Sequence, residues 1–322
     1  MNTYIPLPNS SAGSPVQFSE PAAYSYESCH CCPRNCQINR TKKSGLVSQP
    51  CRYPGGTRGA SSVGGTVYQR SARKRYHLFL PAARCAAVSA RTTRSAAKAL
   101  EKIFPKRVWR KFFLELQAQG AHNINLVTPT QYLPSLLPVL KRVKPQLSIP
   151  IVYNCGGYET LEAVDALAPY IDIWLPDLKY YSSELSARYS AAPDYFPVAS
   201  AAVKRMIEHT GPLVLEDFSE NGQACQLMKR GVILRHMVLP KHKDDSIRLL
   251  HWIHDNLPEG HFLVSLMSQY TPFYQSSKYP EINRRITSYE YQKVVDAAIE
   301  LGLTQGFMQE KMQRKRRIHA AV

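Results

Sequence analysis

The chain has no run of roughly 18 apolar residues, so no segment reads as a membrane-spanning helix. Its N-terminus shows no basic stretch followed by an apolar core. A secretory signal is therefore not expected, and the protein reads as cytoplasmic. No Ser-His-Asp or paired-carboxylate arrangement stands out. The Gly-rich stretch near Gly55 has no phosphate-loop lysine at the required spacing. Acid is scarce: 24 Asp+Glu stand against 41 Lys+Arg, giving a formal net charge of +17. Hydrophobic residues make up an ordinary 44%, which argues against wholesale disorder. The 322 residues suit one large α/β domain or two small ones, enough to bury a core.

The excess of base is local. Residues 46–112 carry 15 Lys+Arg and one acid, Glu101, for +14. The stretch 312–322 adds Arg314, Lys315, Arg316 and Arg317 and no acid, for +4. The rest of the chain is therefore close to neutral, at −1. Residues 46–112 also show Gly-rich, Ser-rich and Arg-rich patches without a sustained period. Such a stretch reads as a solvated arm or as a nucleic-acid arm. Aromatic interleaving is sparse there (Tyr68, Tyr76, Trp109), so stacking on single strands has little support.

Beyond this stretch the pattern becomes regular. Strands are expected at 123–127, 149–153, 171–175, 232–238 and 262–267, with a short one at 213–215. Helices are expected at 133–143, 160–167, 182–190, 198–209, 246–256 and 289–301. Alternation of this length predicts an α/β fold, a mostly parallel sheet wrapped by helices. In a parallel barrel, chemistry collects at the C-terminal strand ends. Polar residues cluster there: Thr128, Thr130, Asn154, Asp177, Lys179, Arg235, His236, Ser268 and Gln269.

Four of the eight cysteines fall in Cys29-His-Cys31-Cys32-Pro-Arg-Asn-Cys36. Without a secretory signal, so dense a cluster reads as a metal site rather than a disulfide framework. Thiolates three and four positions apart converge on one iron–sulfur cluster or one zinc, and Cys29, Cys32 and Cys36 are the natural set. Cys155 and Cys225 are isolated and read as small buried residues.

Several stretches resemble one family. They are Cys-His-Cys-Cys-Pro-Arg-Asn-Cys-Gln-Ile-Asn-Arg (29–40), Gln-Gly-Ala-His-Asn-Ile-Asn-Leu-Val-Thr-Pro-Thr (119–130) and Tyr-Asn-Cys-Gly-Gly-Tyr-Glu (153–159). Asp-Ile-Trp-Leu-Pro-Asp-Leu-Lys-Tyr (172–180), Leu-Arg-His-Met-Val-Leu-Pro (234–240) and Leu-Met-Ser-Gln-Tyr (266–270) add to it. Together they look like the radical S-adenosylmethionine (SAM) proteins similar to pyruvate formate-lyase activating enzymes. The resemblance implies a partial (β/α)6 barrel with a cysteine-rich N-terminal segment. It also implies a 4Fe-4S cluster and SAM as cofactors, and a 5′-deoxyadenosyl radical that abstracts hydrogen from a glycine of a partner enzyme. A glycyl-radical enzyme and an electron donor of flavodoxin or ferredoxin type are the implied partners. Neither a membrane nor nucleic acid is expected as one.

The family places C-x-x-x-C-x-x-C after its first strand, and this chain offers only Cys85 in that region. One thiolate does not hold the cluster, so the chain as it stands is expected to be catalytically impaired. The missing motif is legible in another reading frame. Taking the third base of each codon with the first two of the next, residues 82–95 permit C-T-L-R-C-S-F-C-Q-N-Y-E-I. Between about 46 and 80 the other phase permits V-A-R-A-A, W-E-E-P-C-I-S-G and S-G-I-I-F-F-S in order. Single-base insertions near Leu46, Pro81 and Phe112 account for both phases and restore the frame. The stretch 313–321 likewise permits S-A-K-E-E-Y-T-P-P.

The expected organisation is thus a Cys-rich segment (1–45), a frameshifted stretch replacing the first barrel unit (46–112), the barrel remainder (113–311) and an aberrant basic tail (312–322). By resemblance, Thr128 and Thr130 lie where the second-strand loop meets the SAM amino group. Asn154 lies where the third-strand loop approaches SAM. Asp177 and Lys179 match a fourth-strand Asp-x-Lys, and Arg235 and His236 a fifth-strand position near the adenosine or carboxylate. The function expected is that of a glycyl-radical activating enzyme. The alternatives are a non-catalytic metal-binding module and, ranking below it, a basic nucleic-acid binder.

Overall fold

The computed structural model describes residues 24–40, 57–60, 76–79, 106–220, 223–272 and 275–308. Cys51, Cys85, the tail and most of residues 46–112 lie outside these residues. So does the side chain of Cys225.

Nine strands are described: β1 (Thr57–Ala60), β2 (Tyr76–Phe79), β3 (Ile124–Val127), β4 (Ile151–Cys155), β5 (Ile173–Pro176), β6 (Val214–Glu220), β7 (Gln223–Met237), β8 (Phe262–Met267) and β9 (Gly306–Met308). Seven of them, β2-β3-β4-β5-β7-β8-β9, form one parallel sheet in chain order. The helices are α1 (Lys106–Ala118), α2 (Leu133–Val143), α3 (Leu161–Leu167), α4 (Ser183–Ser190), α5 (Tyr195–Thr210), α6 (Lys243–Asn256) and α7 (Ser288–Glu300). From β2 to β9 at least one helix lies between each parallel strand and the next, as parallel pairing requires. The fold is the expected α/β arrangement.

Winding in chain order puts the helices on one face of the sheet. Side chains alternate accordingly. Ile124, Leu126, Ile151, Tyr153, Trp174, Val232, Leu234, Val264 and Leu266 join the large core that the helices cover. Val152, Ile173, Leu175, Met228, Ile233 and Leu263 form a separate small cluster on the opposite face. Cys29 and Cys31 are buried in the large core, so residues 24–40 pack onto the sheet-and-helix body.

Local chemistry sets the helix ends near the strand tips. Thr160 Oγ1 accepts from Ala163 N (3.2 Å) and caps α3. Ser182 caps α4 through Leu185 N. Asp245, in the first turn of α6, accepts from Tyr181 N (3.0 Å) and Ser182 N (2.9 Å), which ties α6 to the chain leaving β5.

One element exceeds the expectation. The short strand at 213–215 is the start of β6, which pairs antiparallel with the first half of β7. The two residues between them in the sequence are Asn221 and Gly222, the pair a two-residue hairpin favours. β7 turns from this ribbon into the sheet at Gly231 (φ +136), where a Cβ would stand 2.5 Å from Leu213 Cδ2.

Glu290 shows how tightly the later elements are sewn. It completes a capping box with Thr287 at the start of α7. It also accepts from Arg284 (Nη2, 2.6 Å) and from the Lys241 amide (2.7 Å) beyond β7. The Arg284 guanidinium, with these amides, holds its carboxyl well below the usual range. Stability from a depressed carboxyl is present above about pH 4.5 and lost as pH falls. Glu290→Gln is expected to lower the denaturation midpoint at pH 7 and to lose less on acidification than the native chain; urea titrations at pH 7 and pH 4 check this.

Candidate functional site: a charged layer at the strand tips

The inward face of the parallel sheet is layered. Register places Val127, Asn154, Leu175, Ile233 and Leu263 in one row. One residue pair further along lie Asp177, Arg235 and Ser265, Asp177 and Arg235 being joined as a parallel bridge. The apolar cluster is thus a floor, and the charged row lies above it, at the C-terminal ends of the strands.

Within this row Arg235 Nη2 stands 2.5 Å from Asp177 Oδ1, and Lys179 Nζ 3.6 Å from Asp177 Oδ2. The three side chains are each 20–28% exposed, a half-buried cluster of two cations and one anion. The Arg235 approach lacks hydrogen-bond geometry. Asp177 Oδ1 and Arg235 Nε are both buried without a hydrogen-bond partner. Buried polar atoms left so are unusual in folded proteins.

The backbone around this row is closely knit. Asp177 N donates to Cys155 O (3.0 Å), and Leu178 N to Arg235 O (2.8 Å). Gly157 (φ +79) lies so near that a Cβ on it would stand 2.0 Å from Asp177 O. Tyr195, the first residue of α5, reaches Asp177 O (2.7 Å), Gly156 O (2.9 Å) and Lys179 N (3.1 Å) with one phenol oxygen.

The residues expected at the site divide. Asn154, Asp177, Lys179 and Arg235 come to the inward strand ends. Thr128 sits at the rim with φ +52, its amide donating to Asn154 O (2.8 Å). Thr130 and His236 do not join them. Thr130 Oγ1 lies on the helix side, 3.0 Å from both Tyr153 OH and Glu159 Oε1. His236 follows Arg235 in β7, and a strand's period of two turns it the other way. It contacts Leu178 O (2.6 Å) and Ser246 Oγ (2.8 Å), and burial holds its pKa down.

Thr130 belongs to a buried group that the sequence pattern left unmarked. Glu159 is 5% exposed, and Oε2 has no hydrogen-bond partner. Burial pushes its carboxyl up to about 8, against the hydrogen bonds from Thr130 and Cys155 and the charge of Lys179. Cys155 is buried, as its isolation predicted, and its thiol is likewise raised. Gly-Gly followed by Tyr158 and Glu159 was the available signal.

The N-terminal cysteines gather around a cation of the chain itself. Arg40, 1% exposed, donates from Nε to Cys29 Sγ (2.8 Å) and from Nη2 to Cys36 Sγ (3.9 Å). The side-chain hydrogen bond from Cys31 and the one from Arg40 pull the Cys29 thiol down. The hydrogen bond with Cys29, burial and the Cys29 charge lift that of Cys31. Among the described residues no three Cys, His, Asp or Glu side chains form a set able to hold a metal ion. The described residues therefore do not fit a 4Fe-4S cluster.

No known protein-family profile matches the chain. An uncharacterized protein of Methanocaldococcus jannaschii is 32% identical over 184 residues, 56% of this chain and 47% of that protein. The chain thus spans about half the length of that relative. Among solved structures, Streptococcus suis SuiB bound to S-adenosylmethionine aligns at 14% identity and a TM-score of 0.41, over 62% of this chain and 41% of SuiB. Methylornithine synthase aligns at 13% and 0.42, over 62% of this chain and 54% of its own. A domain of pyruvate-formate lyase-activating enzyme from Bacteroides vulgatus aligns at 15% and 0.37, over 52% and 86%.

Two outcomes follow from the geometry. Gly157→Ala adds a Cβ into Asp177 O at a left-handed φ and is expected to lower stability by about 1–3 kcal/mol, read by urea denaturation. Glu159 keeps its proton in the folded state up to about pH 8, whereas an ordinary carboxyl ionises near 4.5. The unfolded chain then binds fewer protons between these values, so this group's contribution falls as pH rises from 4.5 to 8. Glu159→Gln is expected to flatten that fall, measured as denaturation midpoints at pH 5 and pH 8.

Proposed function

We propose that the chain is a SAM-binding protein of radical SAM type, and that the uninterrupted gene encodes a glycyl-radical activating enzyme. The observation that carries the SAM reading is the strand-tip row of Asp177, Lys179 and Arg235. Its Asp177 Oδ1 and Arg235 Nε are buried without hydrogen-bond partners over an apolar floor. A cation pair flanking one carboxylate is complementary to a zwitterion, the amino-acid end of SAM. Arg235 and Lys179 face a carboxylate, Asp177 an ammonium, and Asn154 offers an amide beside them. The Leu175, Ile233 and Leu263 floor keeps water from beneath the charges and so strengthens them.

What SAM supplies in the family resembled is a 5′-deoxyadenosyl radical, formed at a 4Fe-4S cluster. The chain offers one thiolate, Cys85, where that family holds its cluster, so we read the chain as it stands as a SAM binder without the radical chemistry. The sequence evidence for the activating function is the out-of-phase C-T-L-R-C-S-F-C at 82–95, which follows the first parallel strand, Tyr76–Phe79, in the chain. The expected partners, a glycyl-radical enzyme and a flavodoxin- or ferredoxin-type donor, belong to that uninterrupted product.

Isothermal titration with SAM tests the binding. Saturable binding is expected, with Arg235→Ala and Asp177→Asn each weakening it more than tenfold, or about 1.4 kcal/mol and upward. Equal affinity in both variants, or no binding by the native chain, overturns the reading. Peptide mass spectrometry on the native source tests the frame. Peptides carrying the out-of-phase cysteine motif are expected; peptides matching residues 46–112 as they stand rule it out.

A further inference from the structure

We infer that Tyr195 is the positioning residue of the strand-tip site: its phenol sets the spacing between the Gly156–Gly157 turn and Asp177–Lys179, and through it the affinity for the zwitterionic ligand. This rests on the SAM reading above.

Tyr195 is 3% exposed, and its oxygen meets three backbone groups on two neighbouring strand ends. Its single O–H is shared between the carbonyls of Asp177 (2.7 Å) and Gly156 (2.9 Å), and its oxygen accepts from Lys179 N (3.1 Å). These groups bracket the charged row. The Asp177 and Lys179 backbones carry two of its three charges. A Cβ on Gly156 would stand 3.5 Å from Lys179 Nζ, so the ammonium lies over the turn that Tyr195 holds.

The ring has no room to swing. Tyr158 stacks on it (centroids 6.0 Å, interplanar angle 14°), and Tyr180 meets it edge-on (5.6 Å, 79°). Tyr158 is itself fixed, donating its O–H to Asp194 (Oδ1, 2.7 Å), the residue before α5. A phenol locked this way acts as a spacer. Without it, the Lys179 amide and two carbonyls lose their partner, and the Asp177 N–Cys155 O bond is left to tie the segment to β4. Binding sites lose affinity steeply when their charges shift by a fraction of an ångström to an ångström.

Tyr195→Phe keeps the ring packing and removes only the O–H. Tyr180→Phe is the control: it also removes a buried phenol, one bonded to Ser190 Oγ (3.0 Å), but none of the three spacer bonds. Both variants are titrated with SAM well below their melting temperatures. Tyr195→Phe is expected to raise Kd about tenfold and Tyr180→Phe less than twofold, although both melt earlier. An unchanged Kd in Tyr195→Phe, with a lowered Tm, shows a merely structural role and overturns the inference. A native chain without saturable SAM binding overturns the SAM reading and this inference with it. Hydrogen exchange of the native chain gives a second measurement that needs no variant. The Lys179 amide, bonded to Tyr195, is expected to exchange about tenfold more slowly with SAM bound, and an unchanged rate overturns the inference.

Discussion

The charged row depends on how the chain leaves β5. At Pro176 the strand ends, yet the next two residues stay in the sheet's hydrogen-bond network. Asp177 N donates across to Cys155 of β4, and Leu178 N donates the other way to Arg235 of β7. The segment is thereby stretched between two strands just past the last regular pair. His236 seals it from the helix side at Leu178 O, Tyr195 at Asp177 O, and Asp245 anchors the amides of Tyr181 and Ser182. Backbone so fully bonded fixes where the Asp177 and Arg235 side chains start, and the two meet as a 2.5 Å ion pair.

That constraint also separates the two faces of β7. Arg235 points to the charged row, while His236 is spent on structure, its pKa depressed by burial. Two neighbouring residues that look equally functional in a linear sequence therefore take different tasks. The same division holds across β4: Asn154 faces the row, whereas Tyr153 and Cys155 face the Thr130–Glu159 group under the helices. The result is two buried polar groups back to back through the strand ends. One carries net positive charge and opens inward; the other holds a carboxyl that burial keeps protonated up to about pH 8.

The sequence made the regular parts legible and left the irregular parts dark, for identifiable reasons. The helix at 133–143 and the strand at 262–267 appear with the expected bounds, because amphipathic and apolar runs there are uninterrupted. The strand expected at 149–153 begins at Ile151 instead, since Pro150 has no amide to offer a ladder. The ribbon was under-read because Glu216, Asp217, Ser219 and Glu220 break the apolar pattern; it is held by backbone pairing that composition does not announce. At the site, Asp177, Lys179, Arg235 and Asn154 were reachable from strand-end polarity. Tyr195 was not. It lay before the expected start of its helix, and its contribution consists of contacts to backbone, which no residue pattern encodes. Glu159 was missed because an acid two residues beyond Gly-Gly reads as a loop charge until burial is known.

The N-terminal cysteines illustrate what spacing alone leaves undecided. Cys29, Cys32 and Cys36 have the intervals of a metal motif, and intervals say nothing about which positive charge the sulfurs serve. A guanidinium that is 1% exposed needs a counter-charge close by, since an unpaired buried cation costs several kcal/mol, on the order of 3–5. Cys29, drawn towards the thiolate by Cys31 and Arg40, supplies it. The hydrogen bond with Cys29 and burial lift Cys31, and burial lifts Cys32 to about 11. The Cys29–Arg40 pairing lets Cys29 and Cys31 be buried in the core beside the sheet, while Cys32 and Cys36 stay partly exposed.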